Sequence, residues 1–268
     1  MELNIEMMDA IILMAADSSL HQSCKCKAED TEDGKGFVYD LEDATFKFDE
    51  KVQSIINTLE EEYGFNILHT VVFLEGHGNY RYGLNPDYKA NRKDRERPPL
   101  LTPLREWVVD NYSGEAQPLS TFLSVNVETD DSVAATYKRY HLNDYGVQLI
   151  IASPDKDLKT IPNLLFDSYW SRMELSSVDE LTAYRNLMIQ MIMGDSADGV
   201  KGIPKMGKVK AEKALNPLNR KIDMTLKVYE LYKLTFGVKA KQMFYKNYYS
   251  LKLNDSNIAT PNIENYML

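Results

Sequence analysis

Nine acidic residues occupy positions in the sequence from which their side chains could act together. Seven of them follow four apolar runs typical of buried strands, and the last two close a predicted helix: Asp17, Glu75, Glu128, Asp130, Asp131, Asp155, Asp157, Asp195 and Asp198. In open α/β sheets, ligands bind at the carboxyl ends of the strands. A single Asp after a strand is usually a turn or cap residue, but so many acids at four strand ends favour a common site.

Such a site would have a definite chemistry. Carboxylates that converge raise one another's pKa unless cations neutralise them. Oxygen ligands with no His or Cys among them favour Mg²⁺ or Mn²⁺ over Zn²⁺. Two such ions about 4 Å apart can hold a phosphate, activate a water and stabilise the leaving oxygen. The acidic residues therefore predict a metal-dependent phosphoryl hydrolase.

Strands that alternate with helices must position these residues. The apolar runs predict strands at Ala10–Ala16, Leu68–Leu74, Leu119–Val127 and Val147–Ala152. Helical patterns cover residues 50–63, the residues after Asp131 up to about His141, and a segment that ends at Met193. Ser177 and Glu180 have the spacing of a capping box for this last helix, and residues 27–50 look like an acidic loop. This order predicts an α/β fold with a mostly parallel sheet, followed by a Lys-rich helical region.

The charge of the chain is divided unevenly. The 268 residues carry a formal net charge of −9 and a pI near 5.1, which taken alone argues against a nucleic-acid partner. Residues 80–105 nevertheless hold seven Lys and Arg against three acids, and residues 201–241 hold eleven against three. Lys-rich stretches are often only solvated helix faces. Segregated in this way, however, they would let an acidic protein present a basic surface to a polyanion.

Composition argues against several other classes of protein. An apolar content of 44% supports a folded core, so the chain is neither disordered nor fibrous. The longest apolar stretch near the N-terminus, Ala10–Ala16, is too short to span a membrane, and acids replace the basic start of a signal peptide. Cys24 and Cys26 are the only cysteines, so no disulfide framework is expected, and their C-x-C spacing is poor for zinc. The sequence thus predicts a monomer with no membrane partner, in a reducing compartment.

Four segments carry more specific motifs, and their order along the chain is informative. They are NPDYKANR at 85–92, Glu128-x-Asp130-Asp131, SPDKDLKTIPN at 153–163 and GDSADGVKGIPKMG at 194–207. These segments resemble, in order, the arch-base motif, the central acidic motif, the acidic strand end and the second acidic pair of the 5′-nuclease (flap endonuclease-like) superfamily. The last one leads into that family's helix–three-turn–helix DNA clamp. The match covers roughly residues 10–215 and is most similar to phage 5′→3′ exonucleases.

The resemblance implies roles for individual residues. Asp17, Glu75, Glu128 and Asp130 would hold one metal ion, although Glu75 stands where the family usually has Asp. The residues that would serve a second ion or a shared shell are Asp131, Asp155, Asp157, Asp195 and Asp198. Lys89 and Arg92 would contact the scissile phosphate and stabilise its developing charge, and Arg81 would be a basic residue just before the arch. The clamp residues that would meet the DNA backbone are Gly202, Lys205, Gly207, Lys208 and Lys210. A monovalent cation such as K⁺ is common at this turn in the family.

The resemblance also implies an organisation and an activity. Residues 1–198 would form the α/β core of the PIN/5′-nuclease-like type, with a short arch at 80–107, and residues 199–268 would form the helical clamp and the C-terminal helices. The expected enzyme is a 5′→3′ exodeoxyribonuclease with two Mg²⁺ ions, for which Mn²⁺ would substitute. It would hydrolyse duplex DNA from a 5′ end, nick or flap, or an RNA–DNA hybrid, and leave 5′-phosphates. A phage enzyme of this kind would act in DNA replication in the host-cell cytoplasm.

Two other functions stay open from the sequence. Asp155-Lys-Asp157 and Gly194-Asp195 superficially mimic the acidic motifs of haloacid-dehalogenase-like phosphatases, although the D-x-D motif of those enzymes normally follows the first strand. A non-catalytic DNA-binding relative is the second alternative. Nine carboxylates would, however, repel DNA in the absence of metal ions.

Overall fold

The strands and helices follow the expected order along the chain, with additions. The computed structural model describes residues 7–25, 27–31, 34–92, 96–112, 118–169, 171–256 and 258–268, with the backbone alone for 27–31 and 34–38. The strands are β1 (Met8–Ala15), β2 (Lys27–Thr31), β3 (Gly34–Val38), β4 (Phe65–Glu75), β5 (Leu119–Ser124), β6 (Gln148–Ala152), β7 (Asn163–Asp167), β8 (Glu174–Val178), β9 (Gly194–Asp195) and β10 (Val200–Lys201). The α-helices are α1 (Asp17–Ser23), α2 (Leu41–Glu61), α3 (Arg81–Leu84), α4 (Leu101–Asn111), α5 (Thr129–Tyr140), α6 (Glu180–Met193), α7 (Lys208–Leu215), α8 (Lys221–Phe236) and α9 (Ala240–Leu251). Short 3₁₀ turns lie at Ala90–Arg92, Lys156–Thr160, Gly237–Lys239 and Glu264–Tyr266.

The central sheet has the strand order β5–β4–β1–β6–β7–β8. β1 pairs in parallel with β4 and β6, β4 with β5, and β6 with β7, whereas β8 runs antiparallel to β7. The predicted α/β fold with a mostly parallel sheet is therefore confirmed. The four strands that precede the acidic residues are neighbours in this sheet, and their parallel direction brings their carboxyl ends to one edge.

Both faces of the sheet are covered, which explains why its middle strands are apolar over most of their length. Along β1, Ile12 and Met14 join a core with α1, α2 and α4 on the first face. Ile11 and Leu13 point the other way and join α5 and the C-terminal residues 253–267 on the second face. All four side chains are at most 1% exposed, and burying each one stabilises the fold by about 1.5–3 kcal/mol.

A third core lies among the C-terminal helices. It is built from α6, α7, α8 and α9, together with the ring of Tyr88 from the segment after α3. Inside it, the Tyr232 hydroxyl donates to the carbonyl of Met191 at 2.6 Å and accepts from Asn247 at 2.8 Å. Because α6 belongs to this core, the core extends across the predicted division between residues 198 and 199.

Several elements differ from the sequence-based predictions. The segment expected to be an acidic loop contains the hairpin of β2 and β3, and α2 starts at Leu41 because Asp40 accepts hydrogen bonds from the amides of Glu42 and Asp43. The N-cap of α6 is Asp179, which accepts from two amides of the first turn, so the predicted Ser177 capping box is wrong. Strands β7 and β8 were not predicted. None of the helices in the described part of the chain is both long and apolar enough to cross a membrane.

Candidate metal centre and nucleic-acid interface

The carboxyl ends of the parallel strands bring together most of the predicted acids. Asp17 opens α1 directly after β1, Glu75 ends β4, Glu128 caps α5 after β5, and Asp155 caps the 3₁₀ turn after β6. Asp130 lies among them. Burial raises its pKa well above the ordinary value, and the charges of four neighbouring acids raise it further: Asp155, Asp157, Glu128 and Asp17. These acids therefore lie close enough together for each to act on Asp130.

Asp17 is held in place from two neighbouring elements. The Thr129 hydroxyl on α5 donates to one of its carboxylate oxygens, and the backbone amide of Glu75 donates to the other at 3.0 Å. Burial raises the pKa of Asp17. The Glu75 side chain is more open, at 48% exposed, and its Oε2 lies 3.5 Å from Nη2 of Arg105 on α4.

Asp155 and Asp157 form a short acidic turn after β6. The amide of Asp157 donates to Oδ1 of Asp155 at 2.9 Å, and Gln190 on α6 donates to Oδ1 of Asp157 at 2.5 Å. Burial, together with the charges of Asp155 and Asp195, raises the pKa of Asp157 to about 7. This carboxyl group therefore titrates near neutral pH.

We expect this titration to make stability depend on pH when EDTA removes divalent metal. The folded protein binds the Asp157 proton with a pKa of about 7, against an ordinary value of 3.8. The stabilisation is therefore complete below about pH 3.8 and is lost as the pH rises to about 7, at about 1.4 kcal/mol per unit of pKa difference. Urea unfolding at pH 5 and 7.5 measures the loss, and Asp157→Asn should reduce it. An equal reduction by Asp144→Asn, at an exposed loop position, would contradict this assignment.

Hydrogen bonds within the loop that contains Asp195 and Asp198 shape it, and an ion pair joins it to the acidic turn after β6. Oδ1 of Asp195 accepts from the amides of Ala197 and Asp198 at 2.8 and 3.3 Å, which shapes the turn. Its other oxygen accepts from Nζ of Lys156 at 2.6 Å. Lys156 lies between the two acids of the strand-end turn, so it joins that turn to this loop.

The arch-base segment is attached to the same loop. The amide of Lys89 donates to the carbonyl of Asp198 at 2.8 Å, and Nε of Arg92 donates to the carbonyl of Ala197 at 3.1 Å. Nη2 of Arg92 also pairs with the Asp198 carboxylate at 2.8 Å. Gly199 makes this approach possible, because a Cβ there would lie 2.8 Å from the carbonyl oxygen of Asp87.

Lys89 and Tyr88 join this loop to the end of β5. Nζ of Lys89 forms an ion pair with Glu128 and lies 3.8 Å from Asp198. The buried Tyr88 hydroxyl is 3.0 Å from Glu128 and 2.8 Å from Asp198. Although burial opposes it, the charges of Glu128 and Asp198 raise the pKa of Lys89. The predicted phosphate-binding residues thus lie directly beside predicted metal ligands.

Arg81 and Asp131 have a different environment from the predicted one. They form a bidentate ion pair with both side chains at most 1% exposed. Asp131 also accepts from the amides of Glu128 and Asn254, at 3.0 and 2.7 Å, so both of its oxygens are occupied. Arg81 donates to the carbonyls of Ser250 and Lys252. The structure thus places the predicted metal ligand Asp131 and the predicted catalytic Arg81 in a buried pair that joins α5 to the end of α9. Nη1 of Arg81 also lies 3.5 Å from Oε2 of Glu128. The roles of both residues at the site stay predictions.

The predicted clamp residues lie between the end of α6 and the first turn of α7. Lys205, Gly207, Lys208 and Lys210 are exposed, and Gly207 caps α7 with open space around its Cα. Gly202 has another role, since a Cβ there would lie 2.1 Å from the carbonyl carbon of Met193. It is needed for the chain to pack against the end of α6, so its predicted approach to a phosphate has no support here.

Lys208 should contribute to duplex binding through charge alone. Its side chain is 72% exposed at the first turn of α7. We expect Lys208→Ala to weaken binding about equally for all sequences and to lower the slope of log K against log salt by about 1. Fluorescence anisotropy over a salt series measures both quantities. The matched control is Lys47→Ala on α2, which should change neither, and an unchanged slope in Lys208→Ala would contradict the prediction.

The sequence did not single out several residues of this site. Thr129, Gln190 and Lys156 each contact one predicted metal ligand, and Tyr88 contacts two. Tyr88 and Lys156 lie inside the motifs, which was the available signal. Thr129 and Gln190 become visible only when the fold brings their helices to the strand ends. Cys24 is buried and not disulfide-bonded, and Cys26 lies outside the described residues.

The donor set fits a divalent metal in its chemistry. All the converging ligands are carboxylates, which suit hard cations such as Mg²⁺ or Mn²⁺. In the described part of the chain, however, no three His, Cys, Asp or Glu side chains already stand in an arrangement that could hold one ion. Lys89, Arg92 and Lys156 supply the neutralising charge for Glu128, Asp195 and Asp198. A metal ion would replace these side-chain cations as the counter-charge of the carboxylates.

Comparison with known proteins identifies the class of fold. No protein-family profile and no curated protein sequence matches the chain. Solved structures match over nine tenths of its length, and they define a 5′-nuclease (flap endonuclease-like) fold.

The particular structures come from bacteriophage T5. The T5 D15 protein co-crystallised with metal ions has a TM-score of 0.59 and 16% identity, and covers 91% of this chain and 90% of its own. The T5 D15 flap endonuclease in a pseudo-enzyme–product complex with DNA and metal ions has a TM-score of 0.61 and 16% identity, over 91% and 89%. The T5 5′-exonuclease with bound zinc ions has a TM-score of 0.60 and 17% identity, over 92% and 90%. At these identities the likeness establishes the fold.

Proposed function

We propose that this protein is a divalent-metal-dependent 5′ nuclease that hydrolyses phosphodiesters from 5′ ends of duplex DNA. The observation that supports this most strongly is the attachment of the arch-base cations Lys89 and Arg92 to the carboxylates at the strand ends. This attachment supports the proposal because phosphodiester hydrolysis requires a phosphate-binding group beside a metal-binding group. The metal ions and DNA in the T5 structures agree with this chemistry.

In this proposal the carboxylates at the strand ends hold the metal ions. Two divalent ions, Mg²⁺ or Mn²⁺, would activate the attacking water and stabilise the leaving oxygen. The proposed ligands are Asp17, Glu75, Glu128, Asp130, Asp155, Asp157, Asp195 and Asp198. Thr129, Tyr88 and Gln190 orient four of these carboxylates through hydrogen bonds, which fixes ligand direction before metal binds.

The basic residues would bind the substrate. Lys89 and Arg92 lie within reach of Glu128 and Asp198, so a phosphate at these ions would also meet two positive side chains. The exposed residues Lys205, Lys208 and Lys210 would bind the duplex backbone without reading its sequence. A potassium ion at the clamp and action as a monomer in a phage-infected cell are further parts of the proposal that rest on the family resemblance.

The test is a panel of 5′-labelled blunt, nicked, 5′-flap and RNA–DNA hybrid substrates, incubated with Mg²⁺, with Mn²⁺ or with EDTA. We expect nucleotides or short oligomers with 5′-phosphates to be released from 5′ ends only when metal is present. Degradation from 3′ ends, or no cleavage of any substrate, would overturn the proposal. Turnover of a small phosphomonoester without DNA cleavage would support the phosphatase alternative instead.

A further inference from the structure

Arg105 brings a second positive group to the acidic edge, from the helix layer on the first face of the sheet. It lies on α4, whose Leu101, Leu104 and Val108 belong to the core of that face. Its Nη2 is 3.5 Å from Oε2 of Glu75. Lys89 and Arg92 contact other carboxylates of this group, Glu128 and Asp198, from the segment anchored in the third core by Tyr88. Positive charge therefore meets the acids from two sides.

At least one of the hydrogen-bond donors of the Arg105 guanidinium has no acceptor among the described residues. The guanidinium has five N–H donors, and its hydrogen bond to Glu75 is long, at 3.5 Å. Its Nε is buried and has no hydrogen-bond partner among the residues that the structure describes. A buried donor without an acceptor is costly. An arginine fork with unused donors beside a nucleic-acid site matches the oxygens of a phosphate.

Arg97 lies in the same neighbourhood. Its side chain is exposed, in the segment that leads into α4. Burial lowers the pKa of His21 on α1, and the positive charges of Arg105 and Arg97 act in the same direction. The charges of Asp17 and Glu75 oppose them. Arg105 thus lies beside Glu75, and the charge of Arg97 acts on the same region.

We propose that Arg105, assisted by Arg97, forms a second phosphate-binding site for the nucleic-acid strand, beside Asp17 and Glu75. This inference rests on the proposed nuclease function. A strand whose scissile phosphate lies over the carboxylates must carry its next phosphate past one side of them, where an anion needs a cation. The bound group is a phosphate of the strand, either the 5′-terminal phosphate or an internal phosphodiester.

The experiment compares Arg105→Ala, Arg105→Lys and Arg97→Ala with the control Arg139→Ala. Arg139 is an exposed arginine on α5 that contacts Thr260 at 3.2 Å. Binding of 5′-phosphorylated and 5′-hydroxyl duplexes is measured by anisotropy over a salt series, with EDTA present. We expect Arg105→Ala to weaken binding about ten- to a hundredfold and to lower the salt slope by about 1. Arg105→Lys and Arg97→Ala should lose less, and Arg139→Ala should match the wild type.

Each outcome is informative. A loss confined to 5′-phosphorylated duplex assigns the site to the terminal phosphate, whereas an equal loss on both assigns it to an internal phosphodiester. Wild-type affinity and slope in folded Arg105→Ala would overturn the inference. If thermal unfolding shows that Arg105→Ala does not fold, wild-type binding by both Arg105→Lys and Arg97→Ala would overturn it instead. If the wild type neither binds nor cleaves DNA, the proposed function itself fails.

Discussion

Replacing Asp155 or Asp130 with alanine is expected to reduce Mg²⁺-dependent DNA cleavage by more than about a hundredfold while leaving DNA binding intact. Loss of a group that only orients a metal ligand already costs 10- to 100-fold in affinity or activity, so loss of a ligand should cost more. Burial and the charges of four other acids raise the pKa of Asp130, which supports its assignment to the same site. Binding should persist because removing a negative charge lessens the repulsion of the phosphate backbone.

Single-turnover cleavage and anisotropy measure the two effects separately. The control is Asp144→Ala, which removes an exposed carboxylate in the loop before β6. It should leave both quantities at their wild-type values. Cleavage by Asp155→Ala and Asp130→Ala within a few fold of wild type would show that the strand-end acids are not the metal site. A parallel loss of DNA binding would point to unfolding, which thermal denaturation detects.

Lys89→Ala should change cleavage and metal affinity in opposite directions. Cleavage should fall about 10²- to 10³-fold, as when a single group that stabilises the transition-state charge is removed. Mg²⁺ affinity in the absence of DNA should rise, because Lys89 pairs with Glu128, beside Arg81 at 3.5 Å, and competes with metal for that carboxylate. Loss of a side chain with only a structural role would not lower cleavage and raise Mg²⁺ affinity at the same time.

Isothermal titration with Mg²⁺ and single-turnover cleavage together test this expectation. Lys138→Ala is the matched control, since Lys138 also forms an ion pair, with Asp255 at 3.1 Å, but lies near the far end of α5 from Glu128. It should leave both measurements unchanged. Weaker Mg²⁺ binding in Lys89→Ala would exclude competition between the lysine and the metal. Unchanged cleavage would remove Lys89 from the proposed machinery.

Much of the fold could be predicted because the central strands are buried on both faces. A strand such as β1 must then be apolar throughout, and its ends are marked by the first acids. The hairpin of β2 and β3 and the outer strands β7 and β8 were missed. Their residues are mixed in polarity, and their strand conformation depends on pairing with a partner that local sequence does not reveal. The cap of α6 was displaced by two residues because Asp179 competes with Ser177 as an N-cap.

The sequence was sufficient to predict which acids lie at the same edge of the sheet. It was not sufficient to predict the role of each acid. Asp131 lies one residue from Asp130 on α5, yet the helix turns its side chain into a buried pair with Arg81. Arg105 carries no motif, and only the packing of α4 brings it to Glu75. The sequence pattern shows where a strand ends. The rotation of the neighbouring helix about its axis decides which side chain reaches that end.

The separate anchoring of the two ends of the arch has a consequence for the connection between them. The arch-base segment is fixed to the Asp195–Asp198 loop through Lys89 and Arg92, and α4 is fixed to the sheet by its own apolar residues. The positions of the proposed metal ligands therefore do not depend on the number of residues between Arg92 and Leu101, and connections between elements generally tolerate changes in length. In the proposed nuclease, arches of different length would admit different ends of DNA to the same set of proposed ligands.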